Sequence, residues 1–392
     1  MVKKGILWLI AGSALFPGVS GQSALRTAPI PSDPLEMATG RIRPASGRAA
    51  RTAALGLLGR ARGNYAMRSA GRGYDLKVTF TVNSGGQTEY DGAWEMEDVF
   101  DPQQGLRWTA KASAASSGSS ASSSFAITRI SIKGMLYGEE TGSYIPLRLQ
   151  EARAALFDPI PAAGNASRSS IRTSNAVFNG AQLTCILLFG SGKAGNGTEG
   201  RYWEESEECI DPQTGLLRLH SQVPGRYYAY DYSNALQLDG HLLPRRVTVT
   251  EAGRTVTEIS VDSLTELPAA DPSLFVPTEQ MKARGQALAM AGAQKISIFS
   301  GQGPIAPGLT TRAVCVFGLV TATGQLVEAH SLQPSDPNSQ AALGAANQMN
   351  FSVLRPPGAQ PQQHFVFVIE RALILMKRTD RITGLTKILL IL

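Results

Sequence analysis

Apolar and polar side chains alternate most clearly at Leu76, Val78, Phe80 and Val82, and again at Tyr90, Gly92, Trp94 and Met96. Period two is the mark of a half-buried strand, and Ser84-Gly85-Gly86 between the two runs predicts a hairpin. Strand character starts again at Leu106, returns over residues 126–136, and recurs at 216–222, 226–232, 246–250 and 255–264. Asp239-Gly240 and Ala252-Gly253 supply turns between these later runs. Two stretches carry a helical period instead. Ala54, Leu57, Leu58, Ala61 and Tyr65 line one side of residues 47–65, and residues 147–157 read as a second helix stopped by Asp158-Pro159. Residues 46–276 are therefore expected to form an antiparallel β domain with one N-terminal and one inserted helix.

The first residues have another pattern. Lys3 and Lys4 precede an apolar run at 5–15, Pro17-Gly18 breaks it, and Val19-Ser20-Gly21 offers small residues for cleavage. Residues 1–21 read as a signal peptide, which implies a periplasmic or secreted protein. An inner-membrane anchor over residues 5–19 is the alternative, but the run is shorter than a bilayer span needs. Residues 22–45, rich in Pro, Ser and Ala, read as a flexible leader. The net charge of +6 is spread along the chain, and no aromatic-interleaved basic motif accompanies the arginines. Nucleic acid is thus not an expected partner.

Export gives the cysteines a meaning. Residues 182–189 and 200–209 read as the arms of a hairpin centred on Asn196-Gly197. Pairing about that centre sets Cys185 opposite Cys209, where a disulfide can form and persist. Cys315 lies among apolar strand residues and reads as a core residue.

The C-terminal stretch reads strand, turn, strand, helix, strand. The strands are 314–320, 326–332 and 365–370, and the helix starts at Ser335-Asp336-Pro337 and shows Ala342, Ala346 and Met349 on one face. This order, Gly324 in the first hairpin, the small-residue helix ending at Phe351, the RPPGAQP break and the closing FVFVI resemble the C-terminal domain of TonB-like energy transducers. The resemblance covers residues 310–376 at most and implies a small ββαβ domain. It also implies capture of an outer-membrane receptor peptide, or another envelope protein, by strand addition along Phe365, Val366, Phe367, Val368 and Ile369. The family's retained membrane helix and long Pro-rich spacer are not evident here, so partner binding is expected rather than energy transduction. Residues 277–309 read as a linker with some helical content. The basic and apolar tail at 377–392 stays open between a membrane-surface helix, a further strand and a segment with no native role.

The order of elements over 46–276, with turns such as DPQTGLL and LDGHLLPRRV, resembles the curved half-barrel of LolA-type periplasmic lipoprotein carriers. That resemblance implies an α+β protein whose concave sheet face takes acyl chains. Val78, Phe80, Trp94, Leu216 and Tyr228 are the candidate lining of such a groove, and a lipid or lipoprotein the candidate ligand.

Catalytic signatures are missing from the sequence. His220, His241, His330 and His364 show no metal-ligand spacing, and no G-x-S-x-G occurs. Gly190–Thr198 lacks phosphate-loop spacing. Glu204, Glu205, Glu207 and Glu208 beside Trp203 could suggest a carboxylate pair or a Ca²⁺ site, but read more simply as a solvated strand edge. The chain is therefore expected to be non-enzymatic, with no cofactor and no metal. Its leading reading is a TonB-like partner-binding protein linked to outer-membrane transport, and its alternative a lipid or lipoprotein carrier.

Overall fold

The structure is a computed structural model. It describes residues 42–83, 91–112, 125–141, 145–189, 201, 205–223, 225–284, 294–299, 311–321, 326–332, 334–335, 339–348, 366–376 and 382–391. The signal segment, most of the leader, the 84–86 turn, the 190–200 hairpin tip and Phe365 lie outside these residues.

The first strand, β1 (Arg43–Pro44), is followed by α1 (Arg48–Asn64). An antiparallel meander then runs through β2 (Gly73–Val82), β3 (Gly92–Asp101), β4 (Gly105–Ala112), β5 (Ala126–Ile132) and β6 (Met135–Glu140). Two helices, α2 (Leu147–Phe157) and α3 (Ala163–Arg168), lead to β7 (Ser170–Phe178) and β8 (Ala181–Phe189). Next come β9 (Ser206–Ile210), β10 (Leu217–Val223), β11 (Arg226–Asp231), the small hairpin β12 (Leu236–Leu238) and β13 (His241–Leu243), and then β14 (Arg246–Glu251) and β15 (Arg254–Leu267). A 3-10 turn at Pro272–Phe275 and α4 (Glu279–Arg284) end this part.

Thirteen of these strands form one sheet in the order β1-β7-β8-β9-β10-β11-β14-β15-β2-β3-β4-β5-β6. The chain thus starts its long strands in the middle of the sheet, at β2, and walks outward to β6. It then has to cross to β7 near the opposite edge. The segment carrying α2 and α3 makes that crossing, and α2 packs against β15. An antiparallel sheet this wide curls rather than staying flat. The bulge between Val261 and Ser263 on β15 adds a bend at its centre.

Alternation decides the faces. On β2, Tyr74, Leu76, Val78, Phe80 and Val82 are buried while Lys77, Thr79 and Thr81 are exposed. Register carries this face to β3, where Phe80 lies opposite Trp94 and Val78 opposite Met96. Leu57, Leu58 and Ala61 of α1 and Leu149, Ala152 and Leu156 of α2 join the same apolar cluster. The main core therefore lies between the sheet and its two covering helices. Turn chemistry matches the sequence at Asp239 (φ 47°) and Gly240 (φ 82°), the left-handed pair that closes β12–β13.

The leader is not wholly separate, because Arg43 and Pro44 pair with β7 opposite Thr173 and Arg172. The C-terminal part differs more. A second sheet has the order β16 (Gln294–Phe299), β20 (Ile382–Ile391), β19 (Val366–Met376), β17 (Thr311–Thr321), β18 (Leu326–Ser331). Helix α5 (Ser339–Asn347) packs on β17 and β18. A strand thus lies within the expected linker, and the tail supplies β20. This has a consequence for the expected partner strand. Val366, Phe367, Val368 and Ile369 are paired on both sides, with β17 and with β20. A strand with both ladders filled has no free backbone edge to offer, so strand addition at these residues would require one of the two ladders to open.

Candidate functional site

The face under α1 and α2 gathers the unusual side chains. Val78, Phe80, Trp94 and Tyr228 of the expected groove all belong to its apolar cluster. Phe80 and Trp94 stack with ring centroids 5.3 Å apart and Phe125 lies 5.8 Å from Trp94. Leu216 sits instead in the turn before β10, where its carbonyl accepts from the Asp211 N–H; its neighbour Leu217 enters the cluster. The groove residues are covered, so any ligand on this face displaces a helix or slips beneath one.

Helix α2 packs Leu149, Ala152, Ala155 and Leu156 into the apolar cluster and is further fixed by buried ion pairs. Arg148 donates from Nη1 to Glu251 Oε1 at 2.7 Å and from Nη2 to Glu251 Oε2 at 3.2 Å. Its Nη1 also donates to Glu151 Oε2 at 3.1 Å. Arg226 on β11, directly opposite Glu251 on β14, donates from Nε to Glu251 Oε1 at 3.0 Å and from Nη2 to Glu151. His330 Nε2 on β18 stands 2.7 Å from Glu251 Oε2, which joins the second sheet to the same carboxylate. Burial opposes ionisation of Glu251, but Arg148, His330 and Arg226 outweigh it and hold the carboxyl well below its ordinary range.

One turn further along α2, Arg153 donates to Asp98 Oδ2 at 3.0 Å and lies 4.0 Å above the Trp108 ring. Asp98 is fully buried opposite Trp108 and Leu76, and accepts from Tyr74 Oη at 2.9 Å and Arg68 Nη2 at 3.2 Å. These polar positions continue the apolar alternation: Asp98 is next in phase after Trp94 and Met96, and Glu251 after Val247 and Val249. A carboxylate at an inward position was the available signal, and pattern reading alone did not use it.

The acidic run is a correction. Glu205, Glu207 and Glu208 are buried rather than solvated. Arg172 grips Glu205 with Nε–Oε1 at 2.7 Å and Nη2–Oε2 at 2.5 Å, a two-pronged geometry. Arg201 donates to Glu207 Oε2 at 3.2 Å and to Ser221 Oγ at 2.7 Å. Glu208 faces the opposite way, toward α1. Cys185 lies opposite Cys209 in the β8–β9 ladder, and the two are joined by a disulfide. Their sulfurs fill a satellite cluster with Ala176, Leu183, Leu219 and Tyr227 on the face away from α1. Glu207 is close to both sulfurs, but disulfide sulfurs are poor metal ligands, so this trio is not a metal centre.

No family model matches the chain. No curated protein matches it either. Solved structures do show likeness. One is an outer membrane lipoprotein-sorting protein domain, as its description assigns it, from Vibrio parahaemolyticus, at 11% identity over 56% of this chain and 95% of that one, with a TM-score of 0.33. Another is a DUF1329 family protein from Desulfovibrio piger, at 9% identity over 57% and 96%, with a TM-score of 0.35. A third is a LolA superfamily protein from Nitrosomonas europaea, at 11% identity over 57% and 97%, with a TM-score of 0.33. At these TM-scores the likeness carries nothing about ligand or partner, and the open antiparallel sheet stands on its own strand pairing. Among the described residues, no helix is long and apolar enough to cross a membrane.

Proposed function

We propose that this chain is an exported, non-enzymatic binding protein that holds the acyl chain of a lipid or lipoprotein between the large sheet and its covering helices. The observation that carries this reading is how α2 is fixed. A broad apolar sheet face is covered there by a single 11-residue helix. Three of its side chains, Arg148, Glu151 and Arg153, reach the sheet through ion pairs. Ionic contacts hold one geometry specifically but add little net stability over apolar packing. A helix fixed this way has one position to return to, and an acyl chain against Trp94, Phe80 and Val78 would replace the apolar contacts of Leu149, Ala152, Ala155 and Leu156 when the helix lifts. Residues 1–21 would direct export, and a lipid or lipoprotein fits the site better than a receptor peptide does, since Val366–Ile369 are already paired.

Titration of delipidated protein with a brominated fatty acid tests this. Bromine on the chain should quench Trp94 and Trp108 saturably, and Trp108→Phe should remove part of the signal. Saturating ligand that quenches neither ring, together with no lipid released from the freshly purified protein by mass spectrometry, would reject the reading.

A further inference from the structure

Among the described residues, Glu208 is a carboxylate on the helix-covered face that α2 does not use. Its alternation is clear: Glu208 and Ile210 face α1, whereas Glu207 and Cys209 face away. The side chain is fully buried, and neither oxygen has a hydrogen-bond donor among the described residues. His220 stands directly across the ladder with Nδ1 3.5 Å from Oε1, an ion pair when the imidazole is protonated but not a hydrogen bond in this geometry. Arg62 on α1 is within electrostatic reach, but its guanidinium donates to the Pro161 carbonyl.

Aromatic rings follow this carboxylate across the ladder, although the Tyr228 ring already carries the Arg226 guanidinium 5.6 Å from its centroid. Tyr228 lies 5.4 Å from the His220 ring, centroid to centroid. Tyr230, two residues on, meets Tyr65 of the α1 C-terminus edge to face at 6.3 Å. The Tyr230 hydroxyl also has no hydrogen-bond partner among the described residues. Burial pushes the phenols of Tyr65 and Tyr230 well up, and neighbouring tyrosines add to this, so both rings stay neutral.

A buried carboxylate without a donor is costly, and its cost falls most when a cation that can also donate hydrogen bonds arrives. Aromatic faces add attraction for the same charge. We infer that Glu208, His220, Tyr228 and Tyr230 form a subsite for the primary ammonium head of an amphiphile whose acyl chain lies along the apolar face. This rests on the carrier reading above. The half-buried Arg62 marks where the head would enter, beside the end of α1.

The test uses delipidated full-length chain and vesicles with identical acyl chains. Their headgroups are phosphatidylethanolamine, its N-methyl and N,N-dimethyl forms, and phosphatidylcholine. Uptake should fall stepwise as donors are removed, to about one tenth for the quaternary head. Glu208→Gln, which keeps size and removes the carboxylate, should abolish the preference among the four headgroups. Tyr230→Phe should reduce the preference as a second, milder variant. Equal uptake of all four lipids by the wild-type chain, or a preserved preference in folded Glu208→Gln, overturns the subsite and leaves the carrier intact. Uptake of none overturns both. Saturation by glycerophosphoethanolamine alone would make the ligand a soluble amine and overturn the lipid assignment.

Discussion

Arg148 in the first turn of α2 holds Glu251 of β14 with two guanidinium nitrogens, at 2.7 and 3.2 Å, and neither side chain reaches solvent to any extent. Removing one partner of a buried pair leaves the other charge uncompensated. In Glu251→Gln two arginines, Arg148 and Arg226, lose their shared carboxylate. Urea unfolding should show a loss of about 3–5 kcal/mol. A loss under about 1 kcal/mol would mean that Glu151 alone can hold both guanidinium groups.

The same carboxylate sets an acid limit. Its folded-state pKa is depressed below the ordinary 4.5, against the burial penalty, chiefly by Arg148 and with help from His330 and Arg226. A depressed acid contributes its stability in full above the unfolded value and loses it as pH falls through the folded one. The stability of the wild-type chain should therefore drop below about pH 4.5, and the drop should be shallower in Glu251→Gln. Asp101, Asp211, Asp231 and Asp271 are also held low, with hydrogen bonds to backbone N–H groups prominent among the causes, so only the difference between the two chains reports on Glu251. Acid limbs of equal slope would show that Glu251 is not the group that titrates.

What could be read from the sequence follows from how local each signal is. The faces of β2 and β3, the α1 stripe and residues 147–157 depend on periodicity within a few turns, and the structure places them where the pattern does. The opposition of Cys185 and Cys209 needs only the centre of one hairpin. The C-terminal sheet depends on pairing across long separations. Val366–Ile369 look like an edge until residues 382–391 are known to lie beside them, and nothing within that segment announces its neighbour. Glu205 looks solvated for a related reason: its partner Arg172 is distant in sequence, and a carboxylate reads as exposed until its arginine is known.

Gly105 opens β4 with φ +133°, and a Cβ built there would stand 2.1 Å from the Ser131 carbonyl oxygen. That oxygen belongs to the neighbouring strand and cannot rotate away. Gly134 has φ +76° with open space around it, and so isolates the backbone effect. Gly134→Ala should cost about 1–2 kcal/mol for its left-handed backbone alone. Gly105→Ala should cost at least about 1 kcal/mol more, because β4 and β5 must also part. Equal midpoints in thermal unfolding would show that the strands separate there without penalty.

The Cys185–Cys209 bond closes a loop of 24 residues in sequence. Cross-linking a loop of that size removes unfolded-state freedom worth about 3 kcal/mol. The register beside it does not depend on the bond. Ile186 pairs with Glu208 and Leu187 with Glu207, and Arg172 clamps Glu205 just before β9 begins. The Cys185→Ser, Cys209→Ser double variant should therefore keep its far-ultraviolet circular dichroism and its cooperative unfolding, and lose about 3 kcal/mol in urea. Replacing two sulfurs inside the apolar cluster of Ala176, Leu183, Leu219 and Tyr227 adds a polar burial term that chemical reduction of the wild-type chain does not. Reduced wild-type protein should thus fall between the native chain and the double variant. If reduction instead abolishes cooperative unfolding, the ladder and the Arg172–Glu205 clamp are insufficient, and the disulfide itself holds β9 in the sheet.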